Sequence, residues 1–72
     1  NSVNIYPNPT TSEWTIESSR VINTVTLFNL LWQKVLEQTV NDTKVNIDAS
    51  NLSAGVYALI VNKTSIKRVI KR

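Results

Sequence analysis

The chain is 72 residues long, carries a net charge of +3 and contains neither Cys nor His. Its length accommodates one domain, and its composition excludes disulfides, zinc–thiolate sites and histidine-based catalysis. The five carboxylates are scattered, and a single Gly excludes a glycine-rich phosphate loop. The sequence therefore predicts a protein that is not an enzyme, has no catalytic residues and binds no metal or other cofactor.

Apolar residues alternate with polar ones at period two, in runs rich in Val, Ile, Thr and aromatic residues. This pattern is typical of half-buried strands. The first run ends at Pro7-Asn8-Pro9, because two prolines remove two backbone donors. Later breaks are predicted at 18–20, 40–43, 49–55 and 62–64, and 40–43 is interpreted as a hairpin turn. The pattern predicts seven strands, at roughly 3–6, 13–17, 22–29, 33–39, 44–48, 55–61 and 65–70.

Short strands with regular turns predict an all-β fold, a small seven-stranded antiparallel β-sandwich of the Ig-like Greek-key type. No helix is expected, since the strand-like surroundings of residues 30–36 favour a turn there. Two sheets packed face to face bury the inward positions of their strands. The predicted core comprises Ile5, Trp14, Ile16, Val25, Leu27, Val35, Val45, Ile47, Leu52, Tyr57 and Leu59.

The basic residues are concentrated at the end of the chain. Five of the eight lie in the last ten positions, namely Lys63, Lys67, Arg68, Lys71 and Arg72. Such an end attracts nucleic acid, anionic lipid or an acidic partner, or else it is a solvated edge strand whose Lys residues block aggregation. We favour the edge strand. No nucleic-acid partner is expected, because the aromatic residues lie in runs with few basic neighbours.

No apolar run reaches the roughly 18 residues of a membrane-spanning helix, and no signal peptide opens the chain. We therefore expect either a cytosolic protein or a piece of a longer precursor. Because the chain does not begin with Met, we favour the piece.

Trp32 falls in a turn after two leucines. If its side chain is exposed, we expect a sugar-stacking platform or an interface anchor. If it is buried, we expect it to cap one open end of the sandwich. Sugar stacking defines the alternative function for the chain, an accessory β-sandwich that binds carbohydrate or acts as a spacer in a larger secreted enzyme.

Four segments, in order, resemble the C-terminal sorting domains of proteins exported by the type IX secretion system. Residues 4–10, Asn-Ile-Tyr-Pro-Asn-Pro-Thr, resemble the opening YPNPT segment of that family. Residues 25–35 resemble its middle segment, and residues 51–57 its L-x-x-G-x-Y segment. The basic and apolar residues 67–71 resemble its closing strand. The resemblance covers nearly the whole chain, and the ordered set of four segments is more specific than any one of them.

Two positions depart from the family pattern. Ser12 and Trp32 stand where the family commonly has Gly, the residue that most readily adopts a positive φ. We expect these two turns to be built differently in this chain.

The resemblance implies a sorting function. Residues 1–72 would form a single C-terminal sorting domain, excised from a larger secreted precursor whose cargo domain lies N-terminal to it. The outer-membrane type IX machinery would recognise the domain during transit through the periplasm. A sortase-like protease would then remove it, leaving the cargo at the outer membrane and cell surface or secreted.

The opening and third segments supply the first candidate recognition residues. Pro7, Asn8 and Pro9 form a stiff loop, and rigid elements lose less entropy on binding. Gly55 is expected to adopt a conformation closed to other residues and so to aim Tyr57 into the core.

The closing strand supplies further candidates. Lys67 and Lys71 lie on one face of it, and an unpaired last strand can join the sheet of a partner by β-augmentation. Trp32, Arg68 and Arg72 are candidate interface residues. Exposed strand edges in so small a domain would also permit a dimer.

Overall fold

A computed structural model describes residues 3–72; Asn1 and Ser2, which belong to the expected single domain, lie outside the described residues. The described chain is all-β, without a helix, as predicted. It has five strands, so the prediction of seven is wrong. The strands are β1 (Val3–Tyr6), β2 (Glu13–Phe28), β3 (Lys34–Asp48), β4 (Gly55–Val61) and β5 (Ser65–Lys71).

The strand count differs because two predicted breaks are bends within continuous strands. Residues 18–20 lie inside β2 and residues 40–43 inside β3. The pairing of β2 with β3 shifts register between Glu17 and Ile22 and again between Ile22 and Thr24. Opposite these shifts Asn41 adopts a left-handed φ of 61°. Such irregularities bend a strand without ending it, so the polar residues mark a bend in one long hairpin.

The sheet is organised around β2. β3 pairs antiparallel with one edge of β2 along most of its length. The other edge is shared, because β1 pairs with residues 15–18 and β4 with residues 25–28, and β5 follows beyond β4. The sheet curls so that the two halves of β2 enclose one core. The rings of Trp14, on the first half, and Tyr57, on β4, meet edge-on with centroids 6.3 Å apart.

The core lies on the concave side of this sheet. Seven predicted core residues are buried: Trp14, Ile16, Val25, Leu27, Ile47, Tyr57 and Leu59. Three more pack against them while partly exposed, namely Ile5, Val45 and Leu52. The core also contains four residues that were not predicted, Ile22, Ala49, Val61 and Val69.

Val35 is a wrong core prediction, since its side chain is 40% exposed. Leu36 is the neighbour that packs against the core. Leu36 pairs directly with buried Leu27. Since directly opposed residues share one face of a sheet, Leu36 faces the core. A further register shift between Leu27 and Phe28 breaks the alternation from which the burial of Val35 was predicted.

Candidate recognition surface

The segment between β1 and β2 lies beside the last strand. The backbone N–H of Thr10 donates to the carbonyl of Ile70 at 3.0 Å, and the N–H of Arg72 donates to the carbonyl of Thr10 at 2.8 Å. These bonds form an isolated parallel bridge between Thr10 and Lys71. The outer edge of β5 is therefore occupied by the chain itself near residues 70–72. We call residues 7–10 the clamp.

The side chain of Asn8 extends this pairing along β5. Its Nδ2 donates to the carbonyl of Arg68 at 3.1 Å, and its Oδ1 accepts from the N–H of Ile70 at 2.9 Å. Pro7 and Pro9 lack an N–H and cannot donate to a neighbouring strand, and both are preceded by cis peptide bonds. The carboxamide of Asn8 thus provides the donor and acceptor that a strand backbone would otherwise supply.

Thr10 fixes the turn from the clamp into β2. Its hydroxyl donates to the carbonyl of Glu13 at 2.6 Å and accepts from the N–H groups of Ser12 and Glu13 at 3.3 and 3.2 Å. The side chain is almost fully buried. Ser12, which replaces a common glycine of the resembling family, does not adopt a positive φ. The turn is therefore built on the threonine hydroxyl.

The third and fourth segments meet beside the clamp. Lys71 pairs with Gly55, and although it is a charged residue it is only 9% exposed. Its Nζ donates to the carbonyls of Leu52 and Arg72, both at 3.2 Å. Lys71 therefore ties the last strand to the loop before β4.

Gly55 and Tyr57 adopt the conformations that were predicted. Gly55 has a φ of 156°, a backbone conformation that other residues rarely adopt. Tyr57 is buried, and its hydroxyl donates to the carbonyl of Ser53 at 2.6 Å. Both residues lie at or beside the loop before β4, and the Tyr57 hydroxyl is bonded to it.

The alternation of β5 places Lys67, Val69 and Lys71 on one face, as predicted for the two lysines. Val69 is fully buried, Lys71 is nearly so and Lys67 is exposed. The two lysines therefore do not form a joint exposed patch. Arg68, on the opposite face, and Arg72 are both exposed.

Trp32 is 63% exposed, so it does not cap the core. It has a φ of 59°, and thus keeps the positive angle for which glycine is favoured. Its ring lies against Phe28, with centroids 5.7 Å apart. No hydrogen bond or ring contact within residues 3–72 connects it to the clamp.

The electrostatics of the surface are dominated by cations without carboxylate partners. Within the described chain one ion pair lies within 4.0 Å, between Lys34 Nζ and Glu37 Oε1 at 2.9 Å, and it lowers the pKa of Glu37. The pKa of Asp48 is also lowered, because the hydroxyl and N–H of Ser50 donate to it. A hydrogen bond from Tyr6 to Glu17 raises the pKa of that tyrosine. No cluster of three potential metal ligands occurs among residues 3–72.

Sequence reasoning missed the structural role of Asn62. Its Oδ1 accepts from the N–H groups of Asn23 and Thr24 at 2.6 and 3.2 Å, and its Nδ2 donates to the carbonyl of Val21 at 3.1 Å. Its side chain therefore supplies hydrogen-bond partners to backbone groups of β2 at the point where the pairing of β2 with β3 shifts register. The Asn-Lys-Thr sequence indicates a turn but contains no sign of a partner some 40 positions away.

The structure is a small β domain in which the side chains of Asn8, Thr10 and Lys71 hold the clamp, the last strand and the loop before β4 in place. In agreement with this, the sequence model of the family described as the secretion system C-terminal sorting domain matches residues 4–72. The chain therefore belongs to the type IX secretion C-terminal sorting domain family, and it is a C-terminal secretion signal. Sorting domains of this family are not themselves catalytic.

One curated relative is a much longer protein than this chain. The chain is 37% identical over 68 residues to ulvan lyase NLR42 of Nonlabens ulvanivorans, and the alignment covers 92% of this chain and 13% of the relative. The chain thus spans a small part of that relative's length. A sorting domain of this kind lies C-terminal to a cargo domain, and cargo of the type IX system is exported across the outer membrane to the cell surface or the medium.

Helices suited to crossing a membrane, by length and hydropathy, do not occur among the described residues.

Proposed function

We propose that the outer-membrane type IX machinery reads this domain in its folded form, at the clamp and the adjoining strand β5. The observation that carries the proposal is a pair of hydrogen bonds at Asn8, which donates to the carbonyl of Arg68 and accepts from the N–H of Ile70. They join the opening and closing segments of the family pattern, which lie at opposite ends of the sequence. A linear signal needs no such contact, whereas a composite surface depends on it.

The exposed residues of this surface are the ones we assign to direct contact: Pro7, Asn8, Lys67, Arg68 and Arg72. They combine a stiff loop with cations that no carboxylate within residues 3–72 neutralises. A preorganised surface loses less entropy on binding, and unpaired cations favour an acidic partner surface.

The less accessible candidates have a different part in the same proposal. Lys71 and Tyr57 are buried and Pro9 is half-buried, and Gly55 contributes backbone shape. These residues position the surface. Their substitution is expected to impair sorting through the fold.

We propose that the partner binds β5 mainly through side-chain contacts, and less by adding a strand to its edge. The clamp already bonds the backbone of Arg68, Ile70 and Arg72. The outer edge of β5 is thereby open only near residues 65–67, which is short for β-augmentation. The side chains of Arg68, on the outward face, and of Lys67, on the opposite face, both remain exposed.

The remaining steps belong to the same proposal. The domain passes through the periplasm with its N-terminal cargo, is recognised at the outer membrane and is removed by a sortase-like protease. The two halves of the curled sheet are taken as the two layers of an Ig-like sandwich, which the buried Trp14–Tyr57 contact supports.

Charge reversal on β5 tests this recognition surface. A reporter fused upstream of the chain, carrying K67E and R68E, should remain in the periplasm of a type IX-competent host. The control is K44E, an exposed lysine on β3 that lies neither in the clamp nor on β5, and this variant should keep surface delivery. Equal delivery of both variants, with equal thermal stability, would remove β5 from the recognition surface. Deleting residues 63–72 is a poorer test, because it removes Val69 from the core.

A further inference from the structure

The turn between β2 and β3 presents three consecutive large apolar side chains to solvent. Leu30 is 70% exposed, Leu31 is 78% exposed and Trp32 is 63% exposed. We call these three residues the apolar tip. Single exposed apolar residues are common, but a contiguous exposed group marks an interaction site.

Four backbone N–H groups of this turn have hydrogen-bond partners within the turn itself. The N–H groups of Leu31 and Gln33 donate to Asn29 Oδ1 at 2.9 and 3.0 Å. The N–H of Trp32 donates to the carbonyl of Asn29 at 3.0 Å, and the N–H of Asn29 to the carbonyl of Gln33 at 3.1 Å. An unsatisfied N–H is costly in hydrocarbon. These four groups can leave water without losing a partner.

Two basic residues lie in the same cross-strand row as Phe28, the last residue of β2 before the turn. On the outer face of the sheet, Lys34, Phe28, Ala58 and Arg68 form one cross-strand row. Glu37 pairs with Lys34, whereas Arg68 has no carboxylate within 4.0 Å among residues 3–72. Long basic side chains beside an apolar group suit anionic headgroups.

The tip lies at the opposite end of the sheet from the start of β1. Phe28 pairs with Ala58, so the turn that follows it lies toward the Gly55 end of β4. Val3 lines a cavity with Val61 and Asn62, at the other end of β4. A chain segment that enters β1 therefore does so away from the apolar tip.

We propose that the apolar tip inserts into the interface of an anionic lipid bilayer. Three consecutive side chains on a tight turn diverge, and fluid hydrocarbon can cover all three whereas a flat protein surface cannot. Tryptophan favours the headgroup boundary, and the ring contact with Phe28 places Trp32 at the base of the tip. The three residues of the apolar tip lie outside the proposed recognition surface, which shares only Arg68 with the cross-strand row.

Tryptophan fluorescence of this chain with vesicles tests the insertion directly. Trp14 is fully buried and gives a constant signal, whereas exposed Trp32 reports on its surroundings. With phosphatidylethanolamine–phosphatidylglycerol vesicles we expect a blue shift, quenching by brominated lipid and co-sedimentation. Phosphatidylcholine vesicles should give a much weaker response. The L30S/L31S variant should lose about tenfold or more in partitioning.

The matched control is V21S, since Val21 is 52% exposed and lies beside Asn62 at the other end of the domain. It should partition like the parent chain. The proposal is overturned if anionic vesicles leave Trp32 unchanged, or if L30S/L31S binds as well as the parent. It is also overturned if the tip drives self-association without lipid. Should L30S/L31S fail to fold, quenching of the parent chain by brominated lipid decides alone.

Discussion

Ile70 donates its backbone N–H to the side chain of Asn8, 62 positions earlier in the chain, at 2.9 Å. The same carboxamide donates to the carbonyl of Arg68 at 3.1 Å. One side chain thus pairs with the outer edge of the last strand, where the flanking prolines have no N–H to offer. The proposed recognition surface consequently exists only when both ends of the domain are folded together.

Replacing Asn8 by Ala should lower the free energy of unfolding by about 1–2 kcal/mol, since two hydrogen bonds are lost. Urea denaturation measures this change. The matched control is N23A, because Asn23 is exposed on β2 and its side chain makes no hydrogen bond within residues 3–72. Equal stability of the two variants would mean that the Asn8 bonds contribute nothing to the fold.

Asn62 should be among the most sensitive polar positions. Replacement by Ala removes three side-chain hydrogen bonds and leaves a φ of 54°, so a loss of about 2–4 kcal/mol is expected. Replacement by Gly removes the same bonds but suits the angle, and should be milder by about 1 kcal/mol. Denaturant unfolding of both variants separates the two effects. A larger loss for N62G would contradict this assignment.

Substitution of Gly55 by Ala tests the cost of backbone strain in the absence of any steric overlap. A Cβ built at this position meets no atom within 4 Å, yet the φ is 156°. G55A should therefore destabilise the domain by about 1–3 kcal/mol through the backbone alone. The neighbouring A54G, at an exposed loop position, should cost less than about 1 kcal/mol. If G55A were as stable as the parent chain, the conformation of Gly55 would not require glycine.

Asp48 should make stability depend on pH. Ser50 donates two hydrogen bonds to its carboxylate and lowers its pKa. A folded pKa below the unfolded value stabilises the domain above the ordinary pKa of about 3.9, and this contribution disappears as the pH falls through the folded value. In S50A, NMR titration should find the pKa of Asp48 raised, and the stability difference from the parent should shrink in acid. S53A is the control, and an unchanged Asp48 pKa in S50A would refute the assignment.

Local pattern was sufficient for much of the fold. Period-two alternation identified the positions of all five strands and seven buried residues, because strand pleating imposes that period directly. It failed where alternation itself is interrupted, as at Val35 beside the register shift after Leu27. It also mistook bends for breaks at residues 18–20 and 40–43. Exposed polar residues occur at bends within a strand and at breaks between strands alike. Only the pairing of β2 with β3 shows that these two sites are bends.

The candidate surface was predicted as separate pieces. Motif order indicated Pro7-Asn8-Pro9 and the closing strand, but not that Asn8 bonds Arg68 and Ile70 directly. The occupied edge of β5 and the burial of Lys71 were likewise beyond local pattern. These features depend on contacts between distant segments, which propensity and spacing do not encode.

This chain is a C-terminal secretion signal, and we expect it to direct cargo through the type IX translocon. The most direct measurement is the protease-accessible fraction of a reporter fused upstream of the chain, in matched hosts with and without the outer-membrane translocon. We expect surface delivery only where the translocon is present, and none for a tail of scrambled sequence. Equal delivery in both hosts, or delivery by the scrambled tail, would contradict it.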